Sequence, residues 1–214
     1  DVNNLILNVP QAPSKGIPGN SIPANVGSMF NKGFEFSLTS FNITKPNFSW
    51  TTNLNFTALK NEVTELAPGI TEIRTTTADL ETTNITVVGL PVGNLLAVET
   101  RGVDPQTGRR IFVNAAGQEI LFDYSAPSAS RWTYRSDGTV APAVNTANDA
   151  KAWASPLPKY YGGIDNNLEF RGFDVALNLT YAFGYYVYSG SKAGTRDQRW
   201  WNNSVEVYET AWKK

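Results

Sequence analysis

The 214-residue chain contains no cysteine and no histidine. Thiolate nucleophiles, disulfides, thiolate zinc sites and imidazole general bases are therefore outside its chemistry. Carboxylates, Lys, Tyr and Ser remain. Glu35, Asp165, Glu169 and Asp174 fall on the polar positions of alternating runs. Paired carboxylates cleave glycosidic bonds only at a defined spatial separation; on a polar strand face they serve as water-facing lining or as partners of Lys and Arg, and no enzymatic role is expected. Asp104-Pro-Gln-Thr-Gly108 offers one carboxylate, too few for a calcium cage, and reads as a turn. Gly162-Gly163 is not followed by the Lys and helix of a phosphate loop; glycine there suits a strand that bends or is closely approached. No metal and no cofactor is expected.

Binding without catalysis is the other chemistry on offer. Trp132, Tyr134 and Trp153 lie in a long polar stretch, and Trp200-Trp201 and Trp212 lie near the C-terminal end. Exposed rings of this kind stack on sugars or pack against a covering protein, and equally they anchor a loop to its neighbours. Charge excludes one partner class. Lys+Arg 18 against Asp+Glu 19 leaves a formal net charge of −1, without the basic stripe of a nucleic-acid binder.

Charged residues make up 17% of the chain, below the roughly 25% of an ordinary soluble domain. Aromatics reach 12%, and the chain holds 21 Thr and 21 Asn. This mixture favours strands joined by turns over helices. No apolar run approaches the roughly 18 residues of a membrane helix. With no leader at Asp1 and no stop signature at Lys214, the sequence reads as a piece of something longer.

Period-two alternation is the strongest local signal. Phe34, Phe36 and Leu38 alternate with Glu35, Ser37 and Thr39. Phe48, Trp50, Leu54, Phe56 and Ala58 share one face, with Thr52 the exception, opposite Ser49, Thr51, Asn53, Asn55 and Thr57. Ile164, Leu168 and Phe170 oppose Asp165, Asn167 and Glu169. The longest run sets Phe173, Val175, Leu177, Leu179, Tyr181 and Phe183 against Asp174, Ala176, Asn178, Thr180 and Ala182. These are strands with one apolar and one polar face.

The connections alternate between tight and long. A compact turn with Pro46 joins the first two runs, and Arg171-Gly172 reads as a two-residue hairpin loop. Gln11 to Ala24 and Ser189 onward read as loops, and Lys60 to Lys159 as one long excursion with weaker strands at 85–88, 95–100 and 111–113. Short turns at one end and long loops at the other are the habit of outer-membrane barrels. Runs 48–58 and 173–183 match the 9–11 residues of a membrane-crossing strand, with aromatics near their ends. Alternation by itself also admits a soluble β-sandwich whose core the aromatics cap.

Four local patterns resemble the C-terminal barrel region of SusC/RagA-type TonB-dependent outer-membrane transporters. They are Asn25-Val-Gly27 with Asn31-Lys-Gly-Phe-Glu35; Phe48-Ser-Trp50 with Asn53-Leu-Asn55 and Lys60-Asn61-Glu-Val63; Gly89-Leu-Pro91-Val-Gly93 with Gly102-Val-Asp104-Pro105-Gln-Thr-Gly108; and Pro158-Lys-Tyr160-Tyr-Gly162-Gly163 with Phe170-Arg-Gly172-Phe-Asp174 and Tyr181-Ala-Phe183-Gly184. They occur in the family's order from about residue 5 to about residue 188.

The resemblance implies an all-β, antiparallel segment of a large transmembrane barrel, commonly of 22 strands. It implies an N-terminal plug, energy coupling through TonB, a SusD-like lipoprotein lid, and import of oligosaccharides or oligopeptides through the bacterial outer membrane. The plug, the TonB-contact segment and the remaining strands are missing from these residues, so no TonB contact is carried over. On this reading membrane strands lie at about 25–41, 48–59, 159–170 and 173–188, and extracellular loops at about 10–24, 60–158 and 189–214. Phe36, Leu38, Trp50, Leu54, Phe56, Val175, Leu177 and Leu179 face lipid; Trp132, Tyr134, Trp153, Trp200 and Trp201 are the candidate contacts to ligand or lid. Two other readings stand beside it: a soluble secreted β-sandwich that binds carbohydrate, and an unrelated porin without a lid.

Overall fold

The computed structural model describes residues 2–67, 69–77, 81–196 and 204–212. Its strands, in chain order, are β1 (Val2–Pro10), β2 (Ser21–Lys45), β3 (Phe48–Glu65), β4 (Glu72–Thr77), β5 (Glu81–Val87), β6 (Asn94–Val98), β7 (Thr100–Val103), β8 (Arg110–Val113), β9 (Glu119–Phe122), β10 (Trp132–Tyr134), β11 (Ala150–Ala154), β12 (Tyr160–Phe170) and β13 (Phe173–Phe183). Three short α-helices, α1 (Thr146–Asp149), α2 (Gly190–Arg196) and α3 (Val205–Thr210), and 3-10 turns at Pro13–Lys15, Pro18–Asn20 and Ser128–Ser130 complete the described elements. Two compact units divide the chain: Asp1–Thr75 with Ile85–Asn94 and Ala154–Tyr186, and Thr76–Asn84 with Leu95–Trp153 and Val187–Lys214.

In the first unit, β1, β2, β3, β12 and β13 form one antiparallel sheet in that order. The turns are as tight as the sequence allows. Lys45 pairs with Phe48 around Pro46-Asn47, and Phe170 pairs with Phe173 around Arg171-Gly172. Arg171 and Gly172 both take positive φ, 49° and 87°, which is the type I′ geometry whose twist matches the flanking strands.

Several expected boundaries move. The strand placed at 25–41 runs from Ser21 to Lys45, because a bulge between Phe41 and Ile43 absorbs one residue and lets pairing continue to the turn. The strand placed at 48–59 continues to Glu65, since Lys60, Asn61, Glu62 and Val63 still pair with β2. The strand placed at 173–188 stops at Phe183, where Gly184 turns the backbone to φ 78°. The stretch read as a loop at 60–158 contains β4 to β11, and the one at 189–214 contains α2 and α3.

One buried side chain fixes the loop end of β3. Asn61 donates from Nδ2 to Asn31 Oδ1 at 2.8 Å, and its Oδ1 accepts the Val92 amide at 2.8 Å. The Val63 amide donates to Leu90 O at 2.9 Å, and the Gly89 amide donates back to Val63 O at 2.9 Å. Segment 89–92 is thus sewn onto the strand beside a small core of Val63, Leu66 and Ile73.

The second unit is organised by the sheet β10-β9-β8-β7. Ile111, Val113 and Leu121 are buried on one face of this sheet and Ile120 on the other, with Ile120 and Val113 0% and 1% exposed. Its four-residue strands are stabilised chiefly by this packing, since strands so short present few ladder bonds.

Gly162 is the tightest point of the first sheet. A Cβ there would lie 2.1 Å from Asn55 O and 2.5 Å from the Tyr181 hydroxyl, which donates to that same Asn55 O at 2.8 Å. Only glycine lets the Tyr181 ring cross the strand. Gly162→Ala is expected to destabilise the full-length protein by about 1–3 kcal/mol. Tyr181→Phe, which loses one hydrogen bond and keeps the ring, costs only about 1 kcal/mol. Denaturant titration of both variants checks the ranking, and an Ala variant as stable as wild type would contradict it.

Candidate functional site

Register places the candidate side chains. Directly paired residues share a sheet face, so the ladder can be followed across β2, β3, β12 and β13. Phe36, Phe56, Gly162 and Tyr181 form one row; Leu38, Leu54, Ile164 and Leu179 the next; Trp50, Leu168 and Val175 another; Phe48, Phe170 and Phe173 the last before the turns. Phe36, Leu38, Trp50, Leu54, Phe56, Val175, Leu177 and Leu179 therefore lie on a single face. The other face carries Ser37, Asn55 and Thr180, then Thr39, Asn53, Asp165 and Asn178, then Ser49, Glu169 and Asp174. There Thr39 Oγ1 donates to Asn53 Oδ1 at 2.8 Å and Ser49 Oγ to Glu169 Oε2 at 3.1 Å.

The apolar face is uncovered. Phe173 is 76% exposed, Val175 60% and Leu177 51%. A sandwich core would bury these side chains. Aromatic rings border the face at both ends. Phe48 meets Phe170 edge-on at 6.3 Å near the turns, and at the loop end Tyr160 lies 6.0 Å from Phe56 and 5.1 Å from Phe183. Ten residue steps separate the two borders along β12. At about 3.3 Å per residue and a tilt of about 40°, they span roughly 25 Å of height.

One row interrupts the apolar face. Ser40, Thr52 and Asn166 sit beside Leu177. Their polar atoms are spent on one another: Asn42 Nδ2 donates to Thr52 Oγ1 at 2.7 Å, Thr52 Oγ1 to Asn166 Oδ1 at 2.8 Å, Trp50 Nε1 to Asn166 Oδ1 at 3.1 Å, and Ser40 Oγ to Asn42 Oδ1 at 2.8 Å. Thr52, the exception in its run, joins a hydrogen-bonded strip in which its hydroxyl accepts from Asn42 and donates to Asn166.

The loop aromatics do different work in the second unit. Trp132 is half-buried, with its ring 4.5 Å from Phe122 and 5.4 Å from Phe112, so it holds β10 to β8 and β9. Tyr134, with Gln118, Glu119, Arg135 and Ser136, lines a cavity of about 510 Å³. Trp153 is 52% exposed and donates from Nε1 to Ala97 O at 2.8 Å, which leaves much of its ring open to solvent. Trp212 donates to Pro105 O at 3.0 Å and packs over Gly108. Trp200 and Trp201 lie outside the described residues.

A charge network missing from the sequence reading surrounds Tyr134. Glu119 accepts from Arg135 at 2.6 Å and from Arg101 at 2.8 Å; these hydrogen bonds, Arg135's first, hold its carboxyl below the usual range. Asp104 accepts from the Thr107 hydroxyl at 2.6 Å and from the Gln106 amide at 3.3 Å, with the Arg135 guanidinium at 3.8 Å, and its carboxyl is also lowered, chiefly by Thr107. Both Asp104 oxygens are engaged within its own turn, which makes 104–108 a self-capped turn. Among the described residues no group of three or more carboxylates is placed to hold a metal ion. No described helix is long and apolar enough to cross a membrane, which does not bear on strands.

A sheet apolar between two aromatic borders on one face and polar on the other is the construction by which β-proteins separate hydrocarbon from water. Relatives agree with it. The chain is 28% identical over 193 residues to TonB-dependent receptor P26 of Formosa agariphila, covering 87% of this chain and 18% of the relative. It is 31% identical over 157 residues to receptor P3 of that organism, covering 72% and 15%. For receptor P39 the identity is 27% over 212 residues, covering 87% and 20%. No family model matches. Among solved structures, the RagAB peptide transporter aligns with TM-score 0.72 at 21% identity over 99% of this chain and 21% of the other. The RagAB peptide importer in its closed-closed state gives 0.62 at 21% identity, over 91% and 19%. The chain belongs to the TonB-dependent receptors. It spans about a fifth or less of the length of the curated relatives it matches.

The lowered carboxyls give a pH dependence. A carboxyl whose folded pKa lies below its unfolded value adds stability above the unfolded value, about 4, and loses it as the pH falls through the folded one. Amide protection around Gln106 and Ile120 is therefore expected to hold from pH 8 to 5 and to fall below about pH 4. Hydrogen exchange on the full-length protein checks this. Glu119→Gln should flatten the acid limb at Ile120, and an unchanged limb would contradict the assignment.

Proposed function

We propose that this chain supplies part of the membrane wall and of the extracellular loops of a TonB-dependent transporter that imports nutrients across the bacterial outer membrane. The observation that carries this is the uncovered apolar face bounded by aromatic rings roughly 25 Å apart, the height of a barrel's lipid-facing band. The tight turns at Pro46-Asn47 and Arg171-Gly172 then face the periplasm, and segments 60–158 and 189–214 face outward.

The polar face, with Glu35, Asp165, Glu169 and Asp174, lines the lumen. Five strands leave edges at β1 and β13, and lipid offers no partner for unpaired backbone groups. The sheet therefore continues into further strands of a large barrel, of the 22-strand kind, closed by an N-terminal plug. In this reading TonB rearranges the plug, a SusD-like lipoprotein closes the outer mouth, and an oligosaccharide or oligopeptide passes through the lumen. The RagAB neighbours, described as a peptide transporter and importer, lend support to the oligopeptide class. The exposed ring of Trp153 is the candidate contact to lid or substrate; Trp132 serves as a loop anchor. No step of this mechanism needs a reacting side chain, which accords with a chain lacking His and Cys.

Charge scanning tests the wall. Leu177→Arg in the full-length protein should cost about 2–4 kcal/mol, as expected of a cation placed near the middle of the bilayer. Thr180→Arg on the opposite face should cost under about 1 kcal/mol. Unfolding in lipid vesicles measures both, and equal effects at the two positions would refute the face assignment.

A further inference from the structure

The loop end of the apolar face carries a basic notch that the transport reading leaves unused. Lys32 and Lys60 stand directly opposite each other on β2 and β3. They continue the row pattern of Phe36–Phe56 and Phe34–Ala58, so both sit on the apolar face, one step beyond its aromatic border. The next pair outward is Phe30 and Glu62. The Lys32 and Lys60 ammonium groups lie 4.6 and 5.4 Å from the centroid of the same Phe30 ring.

Like charges directly opposite on paired strands are destabilising. One carboxylate answers them: Glu62 holds Lys60 at 2.7 Å. Among the described residues neither Lys32 nor Lys159 has a carboxylate within ion-pair distance. The three lysines line one cavity of about 460 Å³, together with Glu62, Leu59, Leu157 and Tyr160; Lys159, whose backbone pairs with Leu59, reaches it from the open edge of the sheet and not from the face of Lys32 and Lys60. It opens where β12 has ended and β3 runs on: the Leu59 amide still donates to Lys159 O at 2.8 Å, and the next bond from this edge is Val63 to Leu90. Cations above, aromatic rings at the border and an apolar face below fit one kind of molecule, an anionic amphiphile. Its head group sits among the ammonium groups and its chains lie down the sheet.

We infer that Lys32, Lys60 and Lys159 form a binding site for the phosphate head group of a lipid in the outer leaflet. This rests on the membrane-wall reading, since only then is the notch at head-group height. The phosphate supplies the negative charge that the Lys32–Lys60 pair lacks, and the cavity admits its sugar or glycerol. Glu62 limits the site to ligands carrying a full phosphate charge, because it already neutralises one of the three cations.

The test uses the full-length transporter purified in non-ionic detergent and incubated with bisphosphorylated lipid A, or with the same lipid freed of phosphate. Retained lipid is counted by native mass spectrometry. Wild type should retain the phosphorylated form at least about tenfold better than the triple variant K32Q/K60Q/K159Q. K32R/K60R/K159R should keep it, the dephosphorylated lipid should bind both forms equally weakly, and excess inorganic phosphate should not displace the lipid. Equal retention by wild type and the Gln variant overturns the site, as does displacement by inorganic phosphate, which marks a free-anion site. A heat-modifiability gel shows whether the Gln variant is folded; if it is not, Lys32→Gln alone carries the test, with a severalfold loss expected and no loss overturning the site. Failure here with Leu177→Arg still destabilising removes the lipid site and leaves the wall; no effect of Leu177→Arg removes the wall itself.

Discussion

The sheet of the first unit depends on backbone pairing that stays in step across β2, β3, β12 and β13. Leu54 faces Leu38 on one side and Ile164 on the other, and Ile164 faces Leu179. A slip of one residue in any of these strands would send Asn53, Asp165 or Asn178 to the apolar side. Two devices hold the register. The hairpin at Arg171-Gly172 permits one pairing of β12 with β13. Tyr181, crossing Gly162 to the Asn55 carbonyl, ties β13 to β3 over the strand between them. The polar strip of Asn42, Thr52 and Asn166 adds a third tie, specific in geometry because hydrogen bonds, unlike apolar contacts, are lost when displaced.

The sequence made the two-faced sheet legible because its signal is long. Six alternating apolar positions from Phe173 to Phe183 leave little choice of face, and the turn chemistry of Arg171-Gly172 follows from its glycine. The second unit was far less legible. Strands of four residues such as Arg110–Val113 and Glu119–Phe122 are too short to show a period, and their cores come from pairing partners chosen in space. The role of Trp132 depends on Phe112 and Phe122, which no local pattern connects to it. The same holds for Glu119, bridged by arginines 18 residues before it and 16 after. Lys32 and Lys60 are a different case: their parity with Phe34 and Ala58 was readable, but a lysine at a strand end attracts no notice until its opposite number is known to be another lysine.

The two faces also divide the kinds of free energy at work. On the apolar face, lipid would stabilise the side chains in the proposed function, and the Thr52 hydroxyl donates to the Asn166 side-chain carbonyl there. In the second unit, exposed ion pairs such as Arg101–Glu99 at 3.3 Å and Lys151–Glu99 at 3.5 Å add little each. Side chains buried on both faces of its sheet, Val113 on one and Ile120 on the other, provide the cohesion.

Asn61 has a consequence for how such a chain can change over generations. It fastens segment 89–92 to β3, and the chain leaves the first unit at Asn94 and re-enters it at Ala154. Both roots of the excursion thus belong to the first unit, held there by bonds such as Val63 to Leu90 and Tyr186 to Ser155. Residues between those roots can be lengthened, shortened or exchanged without altering the phase of any strand of the five-stranded sheet. Variation in the excursion is thereby uncoupled from the register of the five-stranded sheet, so the two can diverge at different rates.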